Sequence, residues 1–483
     1  MITDILHVFS TEAENKIDDF RNNLKLNLNF SELEKELRKT LNELENKIIK
    51  DILDEMLLNK GFLNLLQQIG GTKALRFKEY REVSILLGNG DKIVVKSPYF
   101  LKAASKKGPK KRGPNGRGSH LGLETLGFID RCSVNLVSEV AESAILCPSF
   151  DVAESVLTRR GIRIDTKTIR RICRSLGDQG IAFRGKISLS ENEPVAGHTL
   201  VIGIDGGRLR QRRNKRGRKK KDQKRQPFHT DWKEPKLFTI FLQDNDGNIV
   251  RYFKPLHDAT MGDHKAVFAL LEGYLKALEL SSISRIVFCG DGAPWIWSGV
   301  ENLLSKFEID SEKVFQVIDY THAKQNLYQI IELFSDEERN KHDIDKRWKE
   351  MLWKGNLWEI GSEINTLMLD QEDRKQKALK KYKDYFLSHQ LKMQYARFKR
   401  QCIPCGSGCV ESAIRRVINL RLKAPGSFWN KEMAECFLFL RSQLISGRWD
   451  FFIKNVSGVT RNLLNLSTIN VKKHEDILYQ KVA

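Results

Sequence analysis

Between residues 197 and 319 the chain repeats one pattern, in which a short run of apolar, β-forming residues stops at or beside an aspartate. The three runs and their acids are residues 199–204 (TLVIGI) with Asp205, residues 285–289 (RIVFC) with Asp291, and Val314–Ile318 with Asp319. Short apolar runs of this kind are typical of strands buried between layers of helices. Ligand sites in open α/β sheets gather at the carboxyl ends of the strands. The pattern therefore predicts an α/β sheet whose acidic side chains meet near one edge.

Hairpin signals predict the remaining strands of this sheet. Residues 237–242 (LFTIFL) form another β-rich run, and a turn at residues 244–247 leads to a further run at residues 249–253. A helix is expected over residues 263–280, and helical, highly charged sequence follows from residue 322 to about 400. Glu411 to about Ile445 forms a last helical block. Strands joined first by hairpins and then through helices indicate a mixed sheet with helices on its faces.

Two of the strand-end acids have small neighbours, Gly206-Gly207 after Asp205 and Gly292-Ala293 after Asp291. An Asp-Gly pair after a strand is also an ordinary turn. Two such sites in one sheet of a strongly basic chain favour a functional interpretation, with room beside each carboxylate for a phosphodiester and its ions. Mg²⁺ prefers carboxylate oxygens and water, and two ions about 3.5–4 Å apart serve phosphodiester chemistry. Asp205 and Asp291 are therefore predicted metal ligands.

The formal net charge of the chain is +21, with a pI of about 9.5. An excess of this size favours a polyanionic partner, of which nucleic acid is the most common. The N-terminal stretch MITDILHVFSTEAENK lacks the pattern of a secretory signal. No window approaches the roughly 18 apolar residues of a membrane span. We therefore expect a cytoplasmic protein that binds nucleic acid and has no membrane partner.

Residues 133–178 predict a helix-turn-helix. Ser149 begins one helix, Gly161 ends it, and Asp165 begins a second helix. The exposed face of the second helix is predicted to contact DNA, although a plain pair of helices has the same pattern. The predicted contact residues are Thr166, Lys167, Arg170 and Arg171.

Two further segments are unusually basic. Residues 102–119 contain seven Lys or Arg among Gly and Pro, which predicts a linker that contacts phosphates. Residues 208–225 contain twelve Lys or Arg in eighteen positions and begin directly after the first acid and its glycines. A solvated loop is the alternative, but charge this dense favours neutralisation of several phosphates. The predicted contact residues here are Arg208, Arg210, Arg212 and Arg213.

The N-terminal region is predicted to be helical over residues 11–67 and to form a β-hairpin over residues 82–100. Six apolar residues recur at steps of three and four along the helix, which predicts packing on its own domain or self-association. They are Leu33, Leu37, Leu41, Leu44, Ile48 and Ile52. Cys402, Cys405 and Cys409 lack the second pair that a zinc site needs, so they are expected to be thiols.

Four segments together resemble bacterial insertion-sequence transposases of the DDE class, in the mutator-like group. They are VIGIDGG at 201–207, FCGDGAPWIW at 288–297, VIDYTHAKQNLY at 317–328 and the stretch from CGSGCVES at 405–412 to GRWDFF at 447–452. The similarity extends over roughly residues 140–455. It implies a ribonuclease-H-like catalytic core with an all-α insertion before a catalytic glutamate. By this resemblance the catalytic and metal-binding carboxylates are Asp205, Asp291 and Glu411. His322, in a D-x-x-H element that begins at Asp319, is a further catalytic candidate that could hydrogen-bond a carboxylate or a phosphate oxygen, and a structural histidine at the start of a helix is the alternative. Unlike many relatives, the hairpin at residues 82–100 has no cysteines for a zinc ribbon.

The resemblance implies a DNA transposase that uses two Mg²⁺ ions, with Mn²⁺ as a substitute, and acts on terminal inverted repeats and target DNA as a homodimer or larger assembly. In such enzymes the helical insertion contacts the transposon end, and this makes its aromatic side chains candidates for contact with a flipped base. Those aromatics are Trp353, Trp358, Phe386 and Tyr395, although helix core is the alternative for most of them. Arg415, Arg416 and Arg421 are candidate phosphate clamps, and an ion pair of Arg415 with Glu411 is the alternative. A DNA-binding regulator without cleavage and a structure-specific nuclease on the same core remain open alternatives.

These inferences predict seven segments. They are an N-terminal helical region with a hairpin (1–101), a basic linker (102–119), a helix-turn-helix domain (120–195), the first part of the core (196–330), the helical insertion (331–400), the second part of the core (401–455) and a C-terminal tail (456–483).

Overall fold

The computed structural model describes residues 2–23, 30–102, 118–182, 184, 193–215, 217, 227–307, 309–335, 337, 339–340, 343–368 and 372–464. Most of the predicted basic linker (103–117), part of the basic segment at 208–225 and the tail beyond Leu464 lie outside these residues. The chain divides into two compact units. One contains Met1–Leu176 and Ile453–Ala483, and the other contains Gly177–Phe452. No helix of the described ranges combines the length and apolarity that crossing a bilayer requires.

The first unit consists of helices around a small sheet. Its helices are α1 (Ile2–Asn23), α2 (Phe30–Leu58), α3 (Lys60–Thr72), α4 (Leu121–Thr125), α5 (Val134–Leu146), α6 (Phe150–Arg159) and the start of α7 (Thr166–Ile181); its strands are β1 (Leu75–Leu86), β2 (Lys92–Lys102) and β3 (Gly118–Ser119). The predicted hairpin is present and longer at both ends, with Val83 opposite Val95. The predicted single helix over 11–67 is divided, because Asn59 caps the start of α3.

Helix α2 packs on the hairpin through a different stripe from the predicted one. Leu53 and Leu57 are buried against Val83 and Val95, whereas Leu41 is exposed. The two stripes lie side by side on a helix of 3.6 residues per turn, so the spacing of leucines alone does not select between them.

Both helices of the predicted helix-turn-helix are present, as α6 and α7. Helix α6 begins at its cap Ser149, whose Oγ accepts a hydrogen bond from Val152 N at 3.1 Å. It ends before Gly161, whose φ of 92° is the left-handed conformation that glycine adopts without strain. Asp165 begins α7 by accepting a hydrogen bond from Thr168 N at 2.7 Å. The two helices and the turn are as predicted, and their docking on DNA stays a prediction.

The second unit is built on a five-stranded mixed sheet with the strand order β10-β9-β4-β7-β8. Strand β4 pairs in parallel with β9, and β9 with β10, whereas β7 and β8 are antiparallel to their neighbours. The strands are β4 (Thr199–Gly206), β7 (Lys236–Gln243), β8 (Leu256–Thr260), β9 (Arg285–Gly290) and β10 (Val314–Ile318). Strand β4 is buried from Thr199 to Ile204, as its apolar run predicts. A separate antiparallel ribbon, β5 (Leu209–Asn214) with β6 (Phe228–Lys233), is inserted between β4 and β7.

Helices connect and cover this sheet. Three follow strands: α8 (His264–Lys276), α9 (Pro294–Leu304) and α10 (Tyr320–Ile331). The helical insertion contributes α11 (Ile344–Lys354), α12 (Leu357–Met368), α13 (Asp373–Ser388) and α14 (Tyr395–Arg400). After it come α15 (Gly408–Ile414), which continues as a π-helical segment (Arg415–Asn419), α16 (Lys431–Ile445) and the start of α17 (Trp449–Leu464). Trp348 and Phe386 of the insertion belong to the same apolar core as the sheet.

The prediction of a strand at residues 249–253 is wrong. Ile249 forms only an isolated bridge with Gln243, and the third strand of the sheet is β8, a few residues later. Strand β8 has the sequence LHDAT, in which His257 and Asp258 are fully buried. A search for apolar runs passes over a strand whose buried residues are polar.

Arg184 explains how Asp258 is tolerated in the core. Its Nη2 lies 3.3 Å from Asp258 Oδ1, and its Nη1 contacts Glu435 Oε1. The Tyr274 hydroxyl donates to Asp258 Oδ2 at 3.1 Å. These groups satisfy a carboxyl that burial would otherwise disfavour as an ion.

Replacing Arg184 with alanine is expected to destabilise the chain by roughly 3–5 kcal/mol, because it leaves buried carboxyls without their cation. The midpoint of urea unfolding measures this change. Lys276→Ala is the control, since Lys276 pairs with Glu272 at the surface and such pairs contribute about 0–1 kcal/mol. Equal midpoints for the two variants would contradict the assignment.

Candidate active site

The three strand-end aspartates lie in one row. In the parallel register Ile204 pairs with Gly290, and Gly290 pairs with Ile318. Asp205, Asp291 and Asp319 are the next residue of each strand, and Asp319 N donates to Gly290 O at 2.8 Å. Adjacent strands are about 4.8 Å apart, so the row brings three carboxyl groups to one edge of the sheet, as the sequence predicts.

Glu411 reaches this edge because α15 lies against β4 through glycines. A Cβ on Gly203 would come within 2.9 Å of Val410, and one on Gly207 within 2.5 Å of the Ile418 side chain. The contacts extend along the last turns of the strand, so the helix and its π-helical continuation follow β4 to its carboxyl end. Glu411 directly follows Val410 and is exposed.

His322 connects Glu411 with the row of aspartates. Its Nδ1 lies 3.2 Å from Asp319 Oδ1. One ligand atom each from Asp319, His322 and Glu411 lie within 4.8 Å of one another, which is close enough to hold a metal ion. Ser407 supports the group, because its Oγ donates to Glu411 Oε1 at 3.2 Å.

Asp205 lies in an environment that opposes its negative charge. Burial raises the pKa of Asp205 to about 6, against the hydrogen bond that Gly206 N donates at 2.6 Å, and the negative charge of Asp291 raises it further. Asp291 Oδ1 accepts a hydrogen bond from Ala293 N at 2.9 Å. Neighbouring carboxylates that are held mainly by backbone N–H groups disfavour each other's ionisation. A divalent cation between them would reverse that effect, so the donor set fits Mg²⁺.

Asp319 is held differently from Asp205. Burial opposes its ionisation, but hydrogen bonds from His322 and Ser407 outweigh burial and lower the pKa of Asp319 to about 2. The backbone N–H groups of both residues donate to its carboxylate, from His322 at 2.8 Å. The contact with Asp319 in turn raises the pKa of His322. Asp319 thus serves mainly to position His322 and the segment that leads to Glu411.

The glycines beside the acids have a different role from the predicted one. A Cβ on Gly206 would lie within 2.0 Å of the Glu234 carboxylate, and one on Gly292 within 2.3 Å of the Tyr385 ring. The space next to each glycine is therefore taken by a protein side chain rather than left for substrate. Glu234 adds a negative charge near Asp205, and Tyr385 is a half-buried phenol near Asp291.

Sequence reasoning missed the roles of Glu234, Tyr385 and Asp319 in this site. Glu234 and Tyr385 are far from the acids in sequence and have no motif around them. Asp319 is visible as a strand-end acid and as the first residue of the D-x-x-H element. The N-cap position that it occupies before α10 was the signal for its structural role.

The candidate DNA contacts differ in accessibility. Arg208, Arg212, Arg213, Arg415 and Arg416 are exposed, and Arg210 is half-buried. Arg421 is only 2% exposed and lies over the rings of Trp429 and Phe437, so it presents no surface to a phosphate.

The helix-turn-helix candidates lie in the first unit. Lys167 is exposed and Thr166 is half-buried. Arg170 lies over the ring of Phe150, and Arg171 forms an ion pair with Asp130. Both guanidiniums therefore have partners within the protein while remaining at its surface.

The aromatic residues of the insertion also differ in their exposure to solvent. Phe386 and Tyr395 are buried, and Trp353 stacks on Tyr395 with ring centroids 6.2 Å apart. Trp358 is 71% exposed. Core packing accounts for the first three rings and leaves Trp358 as the accessible one of this group.

The three cysteines near the insertion are free thiols. Burial raises the pKa of Cys405 to about 11, and its Sγ contacts the carbonyl oxygens of Ile403 and Tyr395.

Asp319→Asn is expected to lower the stability of the fold and to disturb the hydrogen bonds that hold the candidate site. The amide nitrogen of Asp319→Asn would face one of the two backbone N–H groups that the carboxylate now accepts from, at a cost of about 1–3 kcal/mol. Thermal unfolding measures the loss. Ser407→Ala keeps its backbone N–H and removes only the side-chain hydrogen bonds of Ser407 with Asp319 and Glu411, so it should lose less stability than Asp319→Asn. If both variants unfold alike, Asp319 does not have this role.

Comparisons with known proteins give little further guidance. No protein-family model matches the chain, and no curated protein sequence matches it. Among solved structures, the Drosophila P element transposase strand transfer complex is similar with a TM-score of 0.23 and 11% identity, over 67% of this chain and 81% of that chain. A similarity at this level assigns neither family nor function.

Proposed function

We propose that this chain is a DNA transposase with a ribonuclease-H-like core, which cleaves DNA at transposon ends and joins the new ends to target DNA. The observation that carries the proposal is the row of Asp205, Asp291 and Asp319 on adjacent parallel strands, with Glu411 held beside it by α15. The strand order also supports it. Three antiparallel neighbours, β4, β7 and β8, precede two strands parallel to β4, which is the kind of mixed sheet that the hairpins and strand–helix units of the sequence predict.

The proposed metal ligands are Asp205, Asp291 and Glu411. Bound divalent ions would activate the attacking oxygen and stabilise the leaving oxygen of an in-line displacement at phosphorus. The surroundings of Asp205 support this choice, because burial and the neighbouring Asp291 raise its pKa and a bound cation would offset both effects. Asp319 is engaged by His322 and Ser407, which favours a positioning role for it over direct binding.

The protein itself orients the scissile phosphodiester and compensates its charge. His322 is held by Asp319 at 3.2 Å and lies close to Glu411. A protonated His322 is a donor for a phosphate oxygen, and the negative charges around it favour that form. The exposed Arg415 and Arg416 follow Glu411 on the same helical segment, where they extend the positive surface along the DNA backbone.

The test is a strand-transfer assay with the full chain. Purified protein is incubated with Mg²⁺, a plasmid target and labelled DNA that carries the inverted repeats flanking its gene. Joined products that disappear with EDTA are the expected result, and Mn²⁺ should substitute for Mg²⁺. Cleaved products without joined strands would replace the proposal by a structure-specific nuclease. Specific binding to the ends without cleavage in either ion would favour the DNA-binding regulator.

A further inference from the structure

The ribbon β5–β6 is a built element that the catalytic row does not use. Gly207 N donates to Pro235 O at 2.9 Å and closes the base of the ribbon directly after Asp205. The backbone of Trp429 adds to its free edge, since Trp429 N donates to Arg210 O at 3.0 Å and Arg212 N donates to Trp429 O at 2.8 Å. These bonds fix the neighbouring Phe428 against the ribbon.

The two faces of the ribbon differ in chemistry. Side chains alternate between the faces of a β-ribbon, and Arg210 pairs directly with Trp232 in the register. Among the described residues of the ribbon, that face presents no carboxylate, whereas the opposite face has Asp231, which pairs with Arg213. The residues of the first face are Arg210, Arg212, Asn214, Phe228, Thr230 and Trp232.

One guanidinium, that of Arg210, lies among the aromatic rings of this face. The Cζ atom of Arg210 lies 4.8 Å from the centre of the Phe428 ring and 5.7 Å from that of Trp232. Phe228 packs on Phe428 with centroids 5.5 Å apart. Trp232 is 57% exposed and Phe428 is 37% exposed. Two large rings are therefore held in place by arginine while their surfaces remain open to a ligand.

From this arrangement we propose that the face formed by Arg210, Trp232 and Phe428, here named the ribbon platform, binds an unpaired base of the DNA by stacking. Aromatic rings stack on bases of any sequence, and arginine contributes cation–π attraction and phosphate contact. Intact duplex DNA offers phosphates to the arginines but hides the flat surfaces of its bases, so it leaves the rings without a partner. The inference deepens the proposed function, because it rests on DNA as the substrate.

The position of the ribbon platform agrees with this ligand. Arg210 is five residues from Asp205, so the platform lies within roughly 18 Å of the catalytic row along the extended chain. With 3.4 Å per nucleotide of a strand, that distance corresponds to about five nucleotides. An unpaired base near the cleaved bond is within that reach.

A polar cavity of about 310 Å³ adjoins the same ribbon, between β5 and the start of α16. Its cations, Arg212 and Lys431, outnumber its one acid, Glu432. It is therefore suited to the phosphate of a strand whose base lies on the platform. The cavity is lined by Gln211, Arg212, Asn214, Asn430, Lys431 and Glu432.

The test compares single-stranded with duplex DNA. Binding of labelled oligothymidine of about 20 nucleotides, longer than typical single-strand sites, is measured by fluorescence anisotropy beside a duplex of equal length. The protein carries Asp205→Asn and Asp291→Asn, so no DNA is consumed. Trp232→Ala is expected to weaken binding of the single strand about tenfold or more, the loss of one stacked base. Duplex binding, which depends on phosphates, should change much less.

A base analogue shows whether stacking is the cause. One 2-aminopurine in the oligonucleotide should be quenched by the protein, and Trp232→Ala should relieve that quenching. Trp232→Phe keeps a ring and should restore most of both signals. Tyr252→Ala is the matched control, because Tyr252 is an exposed aromatic that bonds to His198 at the opposite end of β4.

Three results would overturn the ribbon platform. In the first, Trp232→Ala leaves the affinity for the single strand unchanged. In the second, it lowers the affinity for single-stranded and duplex DNA equally. In the third, it has no effect on single-strand binding, whereas Trp358→Ala lowers it. The last result would place base stacking on the helical insertion. The proposed function is tested separately by strand transfer. If no joined products form but the platform binds single strands, the proposed function has failed. If joined products form but Trp232 does not affect single-strand binding, the ribbon platform has failed.

Discussion

Asp205→Asn is expected to abolish DNA cleavage, with a fall in rate of about 10³-fold or more. A carboxylate that binds metal supplies several kcal/mol of transition-state stabilisation, and each 1.36 kcal/mol corresponds to about a factor of ten. The neutral amide keeps the size of the side chain and removes the charge that attracts a cation. Asp291→Asn should have the same effect, because the two residues are neighbours in the parallel register. Gel analysis of cleaved and joined DNA measures the rates.

DNA binding should survive both changes, which separates loss of chemistry from loss of folding. Asp310→Asn is the control. Asp310 lies before the amino end of β10, away from the carboxyl ends where the catalytic row lies, and it caps a short helical turn that Asn also caps well. Full cleavage by Asp205→Asn would remove Asp205 from the proposed ligands and, with it, the main argument for the site.

Glu411→Gln is expected to reduce cleavage by a similar factor, about 10³-fold. Glu411 is exposed, and its described contact is the hydroxyl of Ser407 at 3.2 Å. Glutamine can still accept that hydrogen bond, so the thermal unfolding temperature should stay close to that of the unsubstituted chain. A large loss of activity without loss of stability is the signature of a residue that acts on ions or substrate.

Glu301→Gln is the matched control for Glu411. Glu301 is also an exposed glutamate on a helix, α9, which begins after Asp291. Its charge is not part of the catalytic row, so cleavage should continue at the usual rate. If Glu411→Gln also cleaves normally, the third carboxylate must be sought elsewhere, and Asp319, beside His322, and Glu234, whose charge acts on Asp205, are then the acids to examine.

The strands that carry the aspartates could be predicted from sequence, because each is formed by a short apolar run that is visible locally. An apolar run such as residues 199–204 forms a buried strand wherever a sheet is available, and Asp205 is visible as the residue that stops it. The parallel register then places Asp291 beside it without further information. Glu411 was found through resemblance, because its position depends on close contacts of Gly203 and Gly207 with α15. Nothing in the sequence around Glu411 reveals those contacts.

The elements that sequence reasoning missed depend on partners far along the chain. Strand β8 contains buried Asp258, which Arg184 and Tyr274 make tolerable. The ribbon β5–β6 begins in a basic segment whose charge predicts phosphate contact but no strand, and its backbone is completed by Trp429 from more than two hundred residues later. Burial of polar groups and pairing over long sequence distances leave no periodic pattern to recognise.

The chain leaves the sheet after Asp319 and comes back beside it at Cys405, where Tyr320 N donates a backbone hydrogen bond of 2.9 Å to Cys405 O. The two ends of this stretch of chain are thus held side by side. The spacing between Asp319 and Ser407 is thus fixed by local hydrogen bonds, although the two residues are 88 positions apart in the sequence. The helices between the two residues are part of the core, because Trp348 and Phe386 pack in the same apolar cluster as the sheet, so this stretch supports the candidate site rather than standing apart from it.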